Sequence, residues 1–293
     1  MESRDRVAEL ARKCGLSEWA DDLARVALPS VRLNLADNPG DPRGTRLGGD
    51  PALPTELDWP ARRDGRLLSF VGQIRLDEVS ALAVSGPVPS AGLLSFFYDA
   101  EDPPFAARHE ERDRWRVVWF PDPARLQTRQ VPRTRPECWT FNSHAVTWHP
   151  EWTLPPYDSP VMAAMMGLGT SYTDPVLEPR YDAYFDLQNR LNGQDLPTHS
   201  PKHRLLGYPD DIQNPMPGHC ELLSRGLYFD SPLTPDLEQE IQSASTRWQL
   251  LLQVDTDGQL GTRWGDTGTV YFWVPQAAAL AHDYSGAWAI LQC

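Results

Sequence analysis

Cysteine is scarce in this chain. Cys14, Cys138, Cys220 and Cys293 are its four cysteines, and they lie far apart with no C-x-x-C pair. That spacing argues against a disulfide scaffold and a zinc knuckle, and it suits a reducing compartment. Lysine is scarcer still, with only Lys13 and Lys202. Basic charge as a whole is in deficit: 27 Lys and Arg against 40 Asp and Glu give a formal net charge of −13. Such a surface repels phosphate backbones, so nucleic acid is not an expected partner. The one arginine-rich stretch, Arg108 to Arg135, interleaves Glu110, Glu111, Asp113 and Asp122, which describes a mixed solvated face. Long apolar runs are missing. The longest uncharged stretch, Val79 to Tyr98, is broken by Gly86, Pro87, Pro89 and Gly92, so no membrane span is expected. The opening MESRDR has no apolar segment, and a cytoplasmic location follows by elimination. There is no G-x-S-x-G, no glycine fingerprint after a strand and no S-x-x-K, and no cofactor is expected.

What is present is enough for a sizeable core. At 293 residues, 41% apolar and with 11 Trp, the chain fits one large domain or two smaller lobes. The densest order is Trp248 to Trp273, WQLLLQVDTDGQLGTRWGDTGTVYFW. Period-two alternation puts Trp248, Leu250, Leu252 and Val254 on one face and Gln249, Leu251, Gln253 and Asp255 on the other. Asp257-Gly258 reads as a hairpin turn and Gly265 to Gly268 as a second, predicting a three-stranded meander that ends in Thr269 to Val274. Further strands are expected at Leu67 to Ile74, Gly92 to Tyr98, Arg114 to Phe120 and Ala287 to Leu291. Helices are expected within Glu2 to Leu28, Arg75 to Ala83, Pro179 to Asn192, Leu233 to Ser245 (Thr234 as N-cap, Pro235 at the first position) and Pro275 to His282. Leu33 to Trp59 is so rich in Pro and Gly that no regular element of any length is expected there. Gly48-Gly49-Asp50-Pro51 lacks phosphate-loop spacing and reads as a packed loop. A weak internal echo runs through the chain. Gly49-Asp50-Pro51 followed by LSFVGQI and LLSFFYD parallels Gly207-Tyr208-Pro209 followed by QLLLQV and TVYFWV, which suggests two related lobes.

The chemistry-bearing groups are dispersed. His199 and His203 are four apart, but Pro201 between them spoils a helical metal pair. Asp255, Asp257 and Asp266 approach a calcium-loop count but misplace its glycine, which favours turn acids. A pairing of Asp255 with Asp266 would suit acid–base chemistry if a cleft held them. His219-Cys220 adjoin only in sequence. Aromatics cluster near the C-terminus. If Trp264 or Tyr271 shares a face with Gln253 and Asp266, that face suits capture of a ligand or partner.

The motifs LGGDPALP with WP, LSFVGQIRLDEV, GLLSFFYD, HRLLGYPDDIQ, WQLLLQVDTD, WGDTGTVYFWV and DYSGAW, in that order, resemble the YwqG-like family of bacterial proteins. The resemblance spans residues 45 to 291 and is poor over 103 to 160. It implies an α+β fold without a settled activity. It also directs attention to Gly49, Pro51, Gln73, Gly207, Pro209, Gln213, Gln253, Asp255, Trp264, Gly265, Asp266 and Phe272. The expected architecture is α+β, with mainly antiparallel or mixed β-sheets, peripheral helices and two lobes that echo each other. The division is a helical segment 1–40, a β-rich lobe 41–160 and an α+β lobe 161–293. The expected function is a binding module for a protein partner or small ligand, regulatory or toxin-neutralising in role. Its ligand-binding residues are Tyr208, Gln213, Gln253, Asp255, Trp264, Asp266 and Tyr271. The alternative is a hydrolase or isomerase built on Asp255, Asp266 and His203.

Overall fold

The computed structural model describes residues 4–38, 40–82, 84, 86–105, 108–132, 138–169, 177–191, 200–228 and 230–293. The chain opens with α1 (Arg4–Lys13) and α2 (Ala20–Val26), then β1 (Leu28–Leu35), β2 (Arg46–Leu47) and β3 (Ala52–Leu53). Next come β4 (Ser69–Arg75), α3 (Leu76–Ser80), β5 (Leu93–Tyr98), β6 (Trp115–Phe120), β7 (Gln127–Thr128) and β8 (His144–Thr153). The second half carries α4 (Pro160–Met166), α5 (Glu178–Leu191), β9 (His203–Leu205), α6 (Met216–Ser224) and α7 (Pro235–Ser245). It ends with β10 (Trp248–Asp255), β11 (Thr269–Pro275), α8 (Gln276–Leu280) and β12 (Trp288–Gln292).

Ten strands form one sheet in the order β12-β11-β10-β9-β1-β8-β2-β4-β5-β6, and β3 pairs with β7 beside it. All the strand pairings are antiparallel, so the fold is α+β with an antiparallel sheet and no mixed one among the described residues. The sheet rolls on itself. Phe96 of β5 meets Phe272 of β11 edge to face at 5.1 Å between centroids, and Trp115 of β6 lies 5.2 Å from Trp288 of β12. The indole N–H of Trp115 donates to the Ala287 carbonyl at 2.9 Å, linking the two ends of the sheet. The main core fills the inside of the roll, and each large apolar side chain there contributes about 1.5–3 kcal/mol by leaving water. A second cluster packs Val7, Leu10, Leu23, Met162 and Tyr184 from α1, α2, α4 and α5 beside Leu154, just past β8. A third lies outside the first half of the sheet, where Leu53, Trp59, Phe70, Phe97 and Leu126 meet.

Three expectations need correction. The expected helical segment and structureless stretch hide β1, an eight-residue strand at the centre of the sheet. Pro29 and the buried Ser30 and Arg32 disguise it, since proline and charge ordinarily argue against a central strand. Strand β8 accommodates Pro150 because β2 covers only His144 and Ala145 and leaves β8 an edge farther along. The middle strand of the expected meander is absent. Residues 256–268 form turns with one isolated bridge, Asp257 to Thr262, and β12 supplies the third strand. Asp257 there accepts from the Gln259 and Leu260 amides, so it stabilises a turn and not a two-residue hairpin. Strict alternation also fails at two bulges, Phe70/Gly72 in β4 and Leu250/Leu252 in β10, which place Phe70 in the outer cluster and Ile74 in the inner core. Thr234 does cap α7 through the Leu237 amide, with Pro235 first in the helix.

Candidate functional site

Two glutamines organise corresponding places in the two halves. Gln73 of β4 accepts from the Ala52 amide (2.8 Å) and donates to the Gly44 carbonyl (2.8 Å). Gln253 of β10 accepts from the Asp210 amide (3.0 Å) and donates to the Lys202 carbonyl (2.7 Å). Each stands opposite an arginine on the neighbouring strand, Arg46 and Arg204 respectively. The Gly48 amide donates to the Val71 carbonyl as the Leu206 amide donates to the Leu251 carbonyl. The Arg75 amide donates to Thr45 Oγ1, and the Asp255 amide donates to His203 Nδ1. Gly49 and Gly207 both take φ +74°, and a Cβ there would come within 2.5 Å of Ser143 or of Thr153 Oγ1 respectively. These glycines are therefore required by position. Leu206 holds the same left-handed backbone as Gly48, at φ 61° and 64°.

What the glutamines hold differs. Gln73 secures Ala52 and Leu53, both fully buried under the third hydrophobic cluster. Gln253 secures Asp210 and Asp211, which wall a cavity of about 550 Å³ on the outer side of β10 and β11. Gln253, Asp255 and Thr269 line it from the strands, and Lys202, Asp211 and Ile212 line it from the wall. The wall is fixed from behind. The Tyr271 hydroxyl donates to the Asp210 carbonyl, and Gln292 Oε1 accepts from the Ile212 (2.9 Å) and Gln213 (3.2 Å) amides.

A buried ionic ladder runs from the cavity toward the centre of the sheet. Arg32 donates to Glu151 Oε2 (2.7 Å), Arg204 Nε donates to Glu151 Oε1 (2.7 Å), and the other end of Arg204 reaches Asp210. Arg204 is 1% exposed, and charges this deep persist only when paired on every side. Burial pushes the Asp210 carboxyl up, but Arg204 and Lys202 outweigh it and hold the group below its ordinary range. Asp211 goes the other way. Burial, then the nearby charges of Asp158 and Asp210, raise its carboxyl well above the ordinary value. Both Asp211 oxygens are buried, and among the described residues none donates to them.

The seven ligand-binding candidates do not converge on one point. Gln253 and Asp255 line the cavity. Tyr271 stands opposite Gln253 in the ladder and braces the wall with its hydroxyl, whose pKa is raised by burial and then by Asp211 and Asp210. Gln213 lies just beyond the wall, where its amide donates to the Cys293 carbonyl (2.7 Å). Tyr208 faces the other way, donating to the Val26 carbonyl (3.2 Å) beside a narrow crevice with Trp152 and Arg204. Trp264 is in the inner core, edge-on to Tyr98 (5.6 Å) and Phe141 (5.4 Å). Asp266 is exposed on the turn and outside the cavity lining.

Of the histidines, His199 lies outside the described residues. His203 is buried; its Nδ1 accepts the Asp255 amide and its Nε2 bonds Asp257 (3.1 Å), the bond that chiefly lowers the Asp257 pKa. Cys220 sits beside His219 on helix α6, not on a strand, and burial raises its thiol pKa well above the ordinary value, the opposite of an activated nucleophile. Among the described residues no group of three or more His, Cys, Asp or Glu is placed to hold a metal ion. Among the described residues no helix is long and apolar enough to cross a membrane.

Reading the sequence for site residues missed Asp210, Asp211, Lys202, Arg204, Glu151 and Arg32. One signal was available. Arg204-Leu205-Leu206-Gly207-Tyr208-Pro209 repeats the shape of Arg46-Leu47-Gly48-Gly49-Asp50-Pro51, and an acid pair then stands where the first half has Ala52-Leu53.

A family model described as a domain of unknown function (DUF1963) matches residues 45–293. No curated protein matches the chain.

Proposed function

The chain belongs to the DUF1963 family, and from that premise, a shared domain with no assigned reaction, we propose that it is a binding protein whose ligand site is the cavity walled by Asp210 and Asp211. One observation carries this reading: the second half repeats the hydrogen-bonded frame of the first but leaves a polar cavity where the first is sealed with apolar side chains. Its size is within the range of small-molecule sites. The order of motifs supports a YwqG-like protein within the family, and the sequence alone is the ground for a division near residues 40 and 160 and for a cytoplasmic setting. The hydrolase alternative is weaker on geometry. Both Asp255 oxygens are engaged, by the Thr256 amide (2.8 Å), Thr269 Oγ1 (2.9 Å) and the Lys202 amide (3.1 Å). His203 is tied to Asp257, and Asp266 stands apart.

Filling the cavity tests the reading. Ile212, 46% exposed, and Ser200 both line it and tolerate a larger side chain at modest cost. In a thermal-shift screen of small metabolites, a compound that raises the Tm of the wild type should lose its effect in Ile212→Trp and Ser200→Trp. Hits that stabilise both filled variants as well as the wild type would place binding elsewhere and end the proposal.

A further inference from the structure

The two ends of the rolled sheet, β6 and β12, face each other across a seam that has no ladder among the described residues. The Asp99 amide donates to the Arg114 carbonyl (2.8 Å), and bonded and non-bonded pairs alternate along an antiparallel ladder. Trp115 and Val117 therefore turn their backbone groups away from β5 and toward the seam. Two guanidiniums gather there. Arg112 donates to the Ser285 carbonyl and to the Ala287 carbonyl (3.4 Å), and it lies over the Trp288 ring at 4.9 Å. Arg116 stands opposite Phe97, on the outer side of the sheet, and its Nη1 curls back to the seam-facing Trp115 carbonyl (3.3 Å). Together with Trp115, Val117, Tyr284 and Ala287, the two arginines line a cavity of about 130 Å³.

No acid answers this pair. Among the described residues, every hydrogen bond of Arg112 and Arg116 goes to a carbonyl. The acids nearest in sequence are engaged elsewhere. Glu110 accepts from the Tyr228 hydroxyl (2.8 Å), Glu111 from the Arg108 amide (3.2 Å) and Asp113 from the Arg63 amide (2.7 Å). Asp283, whose charge favours Arg112, accepts from the Ser285 amide (2.9 Å). Burial, and then the like charge of Arg116, hold the Arg112 guanidinium below its ordinary pKa.

We propose that the seam is a second binding site, for a phosphate monoester held between Arg112 and Arg116. A guanidinium has five N–H donors; Arg112 spends two of them on carbonyls and Arg116 one. One guanidinium fork satisfies a carboxylate. A phosphate monoester brings three oxygens and a charge of about −1.5 to −2, which answers both arginines. The cavity is small, so it takes the headgroup and leaves the rest of the ligand outside, on the side of the exposed Arg116 and Ser285. The net charge of −13 opposes long polyanions, but a single phosphate in contact with two guanidiniums feels them first, since exposed charges beyond about 8–10 Å are screened. Bound there, the phosphate ties β6 to the segment that leads into β12. The site is separate from the cavity walled by Asp210 and Asp211, which lies on the outer side of β10 and β11.

Titration calorimetry on the full chain at fixed ionic strength tests this with glucose 6-phosphate and with a capped Gly-phosphoserine-Gly peptide. Succinate, glucose and the unphosphorylated peptide are the controls. The expected result is binding of at least one phosphate ester, with a raised Tm, and an affinity at least about tenfold lower in Arg116→Gln. Arg116 is exposed, so the ligand-free variant should melt with the wild type, and Arg116→Lys, which keeps the charge, should recover part of the affinity. Tighter binding of the sugar phosphate marks a small metabolite as the source of the group, and tighter binding of the peptide marks a phosphorylated protein. Three outcomes overturn the proposal: neither ester binding at millimolar concentration, equal affinity in wild type and Arg116→Gln, or succinate binding as tightly as the esters. Ester binding lost in Ile212→Trp but kept in Arg116→Gln would place the phosphate in the other cavity, so that this inference falls and the cavity reading stands. Ester binding that depends on Arg116, with no compound blocked by Ile212→Trp, upholds this inference and removes only the cavity reading.

Discussion

Around Gln73 the outer side of the sheet is covered by Ala52 and Leu53, held against β7, with Trp59, Phe97, Phe120 and Leu126 packed over them. Around Gln253 the same hydrogen bonds hold Asp210, with Asp211 after it, beside a cavity, and the polar row Arg32, Glu151 and Arg204 lies alongside. The backbone frame is common to both places, down to the left-handed residue pairs Gly48-Gly49 and Leu206-Gly207. Side chains at corresponding positions differ: Leu53 against Asp211, Leu93 against Thr269, Arg75 against Asp255. One half spends the frame on packing and the other leaves a polar cavity.

The comparison breaks most sharply at the paired arginines. Arg204→Ala leaves Glu151 and Asp210 buried without it and should destabilise by about 3–5 kcal/mol in urea unfolding. Arg46→Ala removes a guanidinium that donates to the Asp41 carbonyl (3.4 Å) and feels the charges of Asp41 and Asp50, and should lose about 1–2 kcal/mol. Equal losses would mean that the ladder is not what distinguishes the halves. The paired glycines should behave alike: Gly49→Ala and Gly207→Ala each force a contact near 2.5 Å at positive φ and should each lose about 2–3 kcal/mol. A mild effect at one of them would dissolve the equivalence. Gln73→Leu and Gln253→Leu each strand buried backbone groups and should lose about 1–3 kcal/mol, measured the same way.

The smallest effect has the opposite sign. Asp211 has a raised pKa in the folded state, so its contribution favours folding most below the ordinary carboxyl value, about 3.9, and that advantage fades as pH climbs toward the raised value. Asp211→Asn removes this dependence. It should be more stable than wild type by about 1 kcal/mol at pH 7, and the gain should vanish near pH 3.5. A variant less stable than wild type at pH 7 would mean that Asp211 has a structural partner.

Much of the scaffold was legible because its strands and helices obey local rules. The strands LLSFFY and TVYFWV are apolar and β-branched or aromatic, and Thr234-Pro235 announces a helix start whatever surrounds it. The centre of the sheet was illegible for the converse reason. β1 carries Pro29 and the charged Arg32, and pairing with the distant Glu151 makes Arg32 tolerable in the interior. The site was half legible. Gln253, Asp255 and Tyr271 fall together because strand register is local, whereas Asp210 and Asp211 follow Pro209 in a segment that reads as ordinary loop. Trp264 illustrates the remaining gap. A tryptophan between two turns looks exposed, and only the roll of the sheet, which brings Tyr98 and Phe141 to it, puts it inside.

The position of β1 bears on how the chain can be cut. The family match begins at residue 45, after β1 has ended, yet among the described residues β1 is the strand that joins β8 to β9 and hence one half of the sheet to the other. A recombinant fragment trimmed to the matched region would carry two unjoined half-sheets with bare edges at β8 and β9, and such edges recruit neighbouring molecules. Insoluble product from that fragment, rescued by restoring the residues from Leu28 onward, is the behaviour this architecture dictates.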